Sequence, residues 1–347
     1  MPTEQHPKKT GRKNTHVGLI QRRLDIWLNP EESAIFDTIH NRGEYFADGV
    51  RQGIKHQQIT KQIIPEGKGK MVQVDSPVKS RDSNTHSRGM VTIVVSSLAG
   101  GQGKTTVSML LGLLLARSGH PTLLVDADPQ HSLTDWIAGA PAKDAPTLLE
   151  CLTNKLPVQD CIYPLNIDSN LFLIPSDDQL DNVQDYLASS GMGAMLLKKR
   201  LEPMAAAFEY CIIDAPPQRS QISLTVIGAG DVIAIPVEAS VKGYGSLIRT
   251  VDLIKNLQAN GATTAQIVGV IPFRDRFVGN NQTTSSKESI DAMRDEVGSS
   301  LVLSSIVESE RYKQAINQQK TLAEIGYPDL EHPLKDLAAK IKLAVGG

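Results

Sequence analysis

Residues 96–106 read Ser96-Ser97-Leu98-Ala99-Gly100-Gly101-Gln102-Gly103-Lys104-Thr105-Thr106 and follow the apolar run Val91–Val95. A helix-like stretch, 107–118, comes directly after them. Strand, glycine-rich loop and helix in that order make a cradle for phosphate. Gly100, Gly101 and Gly103 let the backbone wrap an anion without Cβ clashes, so successive N–H groups, that of Gln102 included, point inward. Lys104 supplies a mobile cation for β- and γ-phosphates, and the Thr105 hydroxyl suits a Mg²⁺ ligand, with Thr106 next in the turn. The helix starts at the loop, so its partial positive end faces the same anion. A bound nucleotide is the expectation.

The rest of the chain supplies the frame. With 347 residues, 40% hydrophobic and 21% charged, the sequence suits a soluble protein of one large or two domains. Its net charge of −2 is unevenly spread. Residues 1–89 hold 15 lysines and arginines against 10 acids, and the remainder holds 21 against 28. A basic N-terminal module ahead of an acidic body makes contacts with polyanions local. Cys151, Cys161 and Cys211 lack Cys-x-x-Cys spacing and read as buried thiols in a reducing compartment. The first twenty residues are polar and basic, and no apolar run approaches the roughly 20 residues of a membrane helix. The expected location is cytoplasmic.

Residues 1–19 read as a disordered basic tail, 20–63 as a small ordered module, 64–89 as a linker and 90–347 as the main domain. In the main domain, apolar runs at 91–97, 122–127, 170–175, 210–214, 231–237, 266–272 and 301–306 alternate with helical segments. Strands without polar alternation, separated by helices, predict an α/β fold. Its doubly wound, mostly parallel sheet is covered on both faces.

Such a sheet gathers its ligands at the carboxyl ends of its strands. Two acidic motifs fall there, Asp126-Ala127-Asp128-Pro129-Gln130 and Asp214-Ala215-Pro216-Pro217. Asp214 suits an outer-shell contact to Mg²⁺, and Asp128 suits orienting or deprotonating the attacking water. Asp126 suits tying the metal shell to the loop at 129–136. With these motifs, and with 100–105 matching Gly-Gly-x-Gly-Lys-Thr, the chain resembles the ParA/MinD family of deviant Walker ATPases, which are P-loop NTPases. The resemblance spans roughly residues 90–347.

That resemblance implies a homodimer formed around ATP and Mg²⁺, slow hydrolysis, and dimerisation used as a switch. It further implies non-specific DNA binding by the ATP dimer, hence association with the nucleoid, and a ParB-like or adaptor partner that stimulates hydrolysis. The stretch 309–320 resembles the family's late helix, which makes Arg311, Lys313 and Lys320, read as helically spaced, candidate DNA contacts. Lys198-Lys199-Arg200 and the pair Arg274 and Arg276 are further basic candidates. The tail 333–347 lacks Phe and Trp, and its apolar spacing equally fits a helix packed on the sheet, so no membrane contact is expected.

Ala99 departs from the family pattern. Most members carry a lysine there that reaches across the dimer to the other subunit's phosphates. The carboxysome-positioning members, McdA, resemble this chain in lacking it. Lys242, in a loop at 238–245 after the strand-like run 232–237, with flanking glycines that would let it approach a phosphate, is the candidate replacement, and a solvated surface lysine is the alternative.

The N-terminal module has its own pattern. Leu24, Ile26 and Leu28 alternate, Asn29-Pro30-Glu31-Glu32 reads as a helix start, and a second helix follows Gly43. Strand, helix, turn and helix within about forty residues resemble a ribbon-helix-helix domain, in which paired strands enter the major groove. Arg23, Asp25 and Trp27 would face outward, with Arg23 and Trp27 as candidate contacts to operator or centromere DNA. A dimerising or partner-binding helical hairpin is the alternative.

Together these readings describe a ParA-type ATPase that partitions or positions a cargo, a plasmid in the first instance. Two other readings stay open: a DNA-binding autorepressor with nucleotide-gated oligomerisation, and McdA-like positioning of a protein compartment.

Overall fold

Val91–Val95 (β1) has both faces covered, which its unbroken Val-Thr-Ile-Val-Val sequence requires, and four of its five side chains are buried. The computed structural model describes residues 89–137 and 145–346. After the loop comes α1 (Lys104–Arg117), apolar on nearly every side and accordingly buried on nearly every side. The chain continues through β2 (Thr122–Asp126), α2 (Ser132–Trp136) and α3 (Leu148–Leu152) to β3 (Tyr163–Leu165) and β4 (Asp168–Ile174). Helices α4 (Gln184–Ser189) and α5 (Leu196–Leu201) precede β5 (Tyr210–Asp214), α6 (Gln221–Ala229) and β6 (Val232–Glu238). The long α7 (Val241–Ala259) leads to β7 (Gln266–Asp275), a small hairpin of β8 (Phe277–Val278) with β9 (Asn281–Gln282), and α8 (Thr284–Val297). Last come β10 (Ile306–Val307), α9 (Glu310–Gln318) and α10 (His332–Gly346).

Eight strands form one sheet in the order β10-β7-β6-β1-β5-β2-β4-β3. All pair in parallel except β3, which runs antiparallel to β4 at the edge. From β1 the chain crosses through α1 to β2 on one side, while from β5 it crosses through α6 to β6 on the other. The strand order therefore diverges at the carboxyl end of β1, where a crevice for ligand opens. The sheet is the doubly wound, mostly parallel one that the apolar runs predict.

The differences are at the edges. The run 301–306 yields a strand only at Ile306–Val307, preceded by a single bridge from Val302 to Val270. Strand β3 is three residues long and carries Pro164, too short and too interrupted to show as an apolar run. Helix α10 buries Leu334, Leu337 and Ile341 in the core, so its apolar face is already occupied. No described helix is long and apolar enough to cross a membrane. All three cysteines are buried and free, and burial pushes the Cys151 thiol up to about 12. The tail 1–19, the ribbon-helix-helix-like reading of 20–63 with Arg23 and Trp27, and nearly all of the linker lie outside the described residues.

Candidate functional site

The loop after β1 has the backbone its glycines allow. Gly101 (φ 78°) and Gly103 (φ 92°) occupy the left-handed region. At Gly103 a Cβ would also stand 2.6 Å from the Phe273 ring, so the residue is glycine for two reasons. The loop is anchored to the unit formed by β6 and α7. The Leu98 N–H donates to Thr250 Oγ1 (3.0 Å), Ser97 Oγ meets Ser246 Oγ (3.1 Å), and the Glu238 N–H donates to Gln102 Oε1 (2.9 Å). The Gln102 side chain is thereby spent on loop architecture, leaving its backbone N–H as the group a phosphate could use.

Lys104 is the first residue of α1, and only 7% of it is exposed. Its Nζ donates to the Ala99 carbonyl across the loop (3.2 Å). Burial lowers its pKa, opposed by the charges of Asp214 and Asp128. No side chain caps the first turn of α1 and no acid lies in it, so its N–H groups are open to an anion. A helix N-terminus, a folded-back lysine and a glycine loop converge on one point.

Opposite them stand two carboxylates in register, Asp126 on β2 and Asp214 on β5. Both are buried. Burial raises Asp126 to about 6. Burial and then the charge of Asp126 raise Asp214 to about 7. Thr105 and Ser108 hydroxyls donate to Asp214, the latter at 3.1 Å. Asp126 accepts from Thr134 N–H and Oγ–H (2.8 Å each) and from the Asp128 N–H (3.1 Å). Thr134 Oγ1 in turn accepts from the Ser176 N–H (3.0 Å), which joins the ends of β2 and β4.

Paired carboxylates forced toward neutrality by burial are a set that a divalent cation would relieve, so the residues fit Mg²⁺. Among the described residues no three His, Cys, Asp or Glu side chains converge on a metal position. A Mg²⁺ ion here would draw its remaining ligands from nucleotide and water, with Thr105 as the hydroxyl.

Asp128 is part-buried at the mouth of the site, and burial raises its pKa. Its Oδ1 accepts from the Gln130 N–H (3.0 Å), while its carbonyl accepts from the N–H of His131 (2.8 Å). His131 has a left-handed backbone (φ 42°) and spans Asp135 (3.0 Å) and Asp178 (3.3 Å) with its two ring nitrogens. These bonds tie the loop at 128–135 to itself and to Asp178.

Three expectations need correcting. Lys242 lies in the first turn of α7 rather than in a loop, because Ser240 caps that helix through the Gly243 N–H. Gly243 serves close packing and not approach to a phosphate, since a Cβ there would stand 1.9 Å from the Glu238 carbonyl oxygen. Lys320 is not helically spaced with Arg311 and Lys313, because Gln319 (φ 53°) ends α9 before it.

Lys242 is exposed at the carboxyl edge of the sheet, next to β6. Arg311 stacks over Tyr327 (4.6 Å) and Lys313 pairs with Glu310 (2.9 Å); both remain exposed, on either side of the buried Tyr312. Lys198 pairs with Asp231 and Arg200 bonds Asn154, which leaves Lys199 as the exposed cation of that trio. Arg274 and Arg276 line a cleft of about 270 Å³ with Ser240, Thr283 and Ser286, beside the phosphate loop.

Comparison with known proteins accounts for this arrangement. Residues 90–263 match the family model described as AAA domain, AAA_31. The maintenance of carboxysome distribution protein A (McdA) of Gloeothece citriformis is 52% identical over 246 residues, which cover 71% of this chain and 95% of the relative. The chain belongs to the ParA/MinD-type family of P-loop ATPases. The ParA-type chromosome partitioning protein of Myxococcus xanthus is 31% identical over 166 residues, 47% of this chain and 58% of the relative. An ATP complex of a Cyanothece McdA variant superposes with a TM-score of 0.70 at 50% identity, covering 75% of this chain and 97% of that one. More than a quarter of the present chain lies outside the match with the Gloeothece protein.

Proposed function

We propose that this ParA-type chain distributes a protein compartment, as the McdA relatives are named to do for carboxysomes, and that it works over DNA by an ATP-dependent dimerisation cycle of its own. The observation that carries the reading is 52% identity across 95% of a relative named for carboxysome distribution. Ala99 in place of the first lysine agrees with it, through the resemblance to the McdA members of the family. Plasmid partition is the weaker reading, since the partition relative is 31% identical over 58% of its length. In the native host, deleting the gene is expected to collapse evenly spaced compartments into clusters. Normal compartment spacing with loss of a plasmid would overturn the proposal.

The chemistry assigned to each group follows from its position. Lys104 leaves the Ala99 carbonyl for the β- and γ-phosphates, and the N–H groups of 101–106 take the phosphate oxygens. Mg²⁺ supplies charge neutralisation on those oxygens when bound. Thr105 and Asp214 would hold the shell of a bound Mg²⁺, and Asp126, fixed by Thr134, would keep the 128–134 loop in register with them. Asp128 orients the attacking water and receives its proton. Arg311, Lys313 and Lys320 provide phosphate contacts for non-specific DNA. Residues 20–63 add a second, sequence-reading contact through Arg23 and Trp27.

Lys242 is assigned to the partner subunit's phosphates. It is exposed at the sheet edge from which a facing copy would be reached, and no ion pair among the described residues holds it back. Lys242→Ala is expected to weaken ATP-driven dimerisation by about 2 kcal/mol or more, roughly thirtyfold, as read by sedimentation. Binding of ATP to the monomer should stay within about twofold, because the residue lies outside the cradle. Undiminished dimerisation would return Lys242 to the solvated surface.

A further inference from the structure

Eight large apolar side chains stand exposed among the described residues, and three of them fall within ten positions of one another. These are Tyr186 (37% exposed), Met192 (40%) and Met195 (52%). Their exposure does not come from a loose segment. The Gln221 N–H at the start of α6 donates to Gln184 Oε1 (3.0 Å), and Thr225 Oγ1 donates to the Gly193 carbonyl (2.6 Å). Gly228 lets the Ala194 carbonyl oxygen approach α6 so closely that a Cβ would stand 1.9 Å from it. Leu187, Leu196 and Leu197 fill the inner side of the same segment. Packing therefore holds Tyr186, Met192 and Met195 outward, and the 3₁₀ spacing of the two methionines puts them on one face.

The charge along this stretch of sequence has one sign. Asp177, Asp178, Asp181 and Asp185 fall within nine residues, and no lysine or arginine occurs from 177 to 197. Asp181 and Asp185 are exposed and join no ion pair among the described residues, while Asp178 meets only the His131 ring. Lys155, Lys199 and Arg219 are the exposed cations nearest in sequence on either side, and all three lie outside the stretch that holds the four aspartates. Methionines adapt to varied apolar ligands, and tyrosine anchors interfaces. An acidic flank asks for a cationic one.

We infer that Tyr186, Met192 and Met195, with Asp178, Asp181 and Asp185, form the docking face for a basic amphipathic helix of a partner protein. The occupant follows from charge complementarity: its apolar stripe covers the methionines and tyrosine, and its lysines or arginines face the aspartates. A path to the reaction is already built. Asp178 holds His131, whose N–H bonds the Asp128 carbonyl, and the charge of Asp181 acts on the Asp128 carboxyl. A cation brought over Asp178 and Asp181 therefore acts on the loop that orients water. This last step rests on the role assigned to Asp128 above; the docking itself does not.

The test uses the full chain and two labelled model helices, one of leucine and lysine and one of leucine and glutamate in the same pattern. Fluorescence anisotropy is expected to show the lysine helix bound at least about tenfold more tightly than the glutamate helix. Met192→Ser with Met195→Ser should weaken the lysine helix by about tenfold, and Asp181→Asn with Asp185→Asn by about fivefold at low salt. Both pairs are exposed, so thermal melting should stay within about 3 °C of the parent. A methionine variant that binds the lysine helix within twofold of the parent would overturn the inference. So would a methionine variant that loses self-association with ATP, which would give the face to a second copy. Binding is measured with and without ATP, so a chain that proves inactive as an ATPase still tests the face. A change in ATP turnover on adding the lysine helix, absent in Asp181→Asn with Asp185→Asn, supports the path to Asp128.

Discussion

Lys104→Ala is expected to remove ATP binding at ordinary working concentrations while leaving the fold intact. The lysine is buried, and its nearest hydrogen-bond partner is a carbonyl of its own loop, a weak substitute for a phosphate. Deleting one member of a desolvated charge pair raises the dissociation constant by about 2–5 kcal/mol, roughly thirty- to several-thousandfold. The apoprotein should hardly notice. Burial already disfavours the charged ammonium, and alanine is a good helix former in the first turn of α1. Titration calorimetry with Mg·ATP should therefore show no saturable binding, while the melting temperature without nucleotide stays within about 3 °C. Retained affinity would mean that the loop amides and helix end carry the phosphates without the lysine.

How much of this site the sequence discloses depends on how local each relation is. The loop, its glycines and Lys104 sit within eleven consecutive residues, so their geometry is written in spacing alone. Asp126, Asp128 and Asp214 follow strands whose apolar runs are unmistakable, and the parallel sheet puts them together. What the spacing does not disclose is the set of groups that hold these residues still. Thr134 reaches back to Asp126 over eight residues, Ser176 reaches Thr134 over forty-two, and Thr250 meets Leu98 over 152. Phe273 presses on Gly103 from β7. None of these pairs has a local signature, because parallel strands bring distant residues together at their carboxyl ends.

Lys242 is a different case. Ser240 stands three residues before Gly243 and caps the helix, a start signal present in the sequence but masked by the two nearby glycines that suggest a loop. Lys320 fails for the opposite reason: its spacing fits a helix, but Gln319 adopts a left-handed backbone and ends it. The acidic and methionine-bearing face at 177–195 shows as charge in the sequence, yet only packing decides which apolar residues stay outside.

Asp128→Asn is expected to lower kcat by about two to four orders of magnitude with little change in ATP affinity. The substitution is a narrow one. Asparagine keeps an Oδ1 acceptor for the Gln130 N–H, and the backbone bonds that link residue 128 to Asp126 and His131 do not involve the side chain's charge. The loop should keep its shape, so the loss belongs to the proton and not to the geometry. Single-turnover kinetics would show chemistry slowed while nucleotide binding remains normal, the pattern of a group that acts in the transition state. The pH profile gives a second reading. Burial holds the Asp128 carboxyl above the ordinary carboxylate range, so parental kcat should rise with pH through an inflection displaced upward from that range. The asparagine variant, having nothing to ionise there, should lack that limb. Because hydrolysis would no longer end the ATP-bound state, the variant should also persist as an ATP dimer long after the parent has returned to monomer. A variant that hydrolyses at the parental rate would move the water-orienting role away from Asp128 and leave its part-buried carboxylate as a structural anchor for the loop.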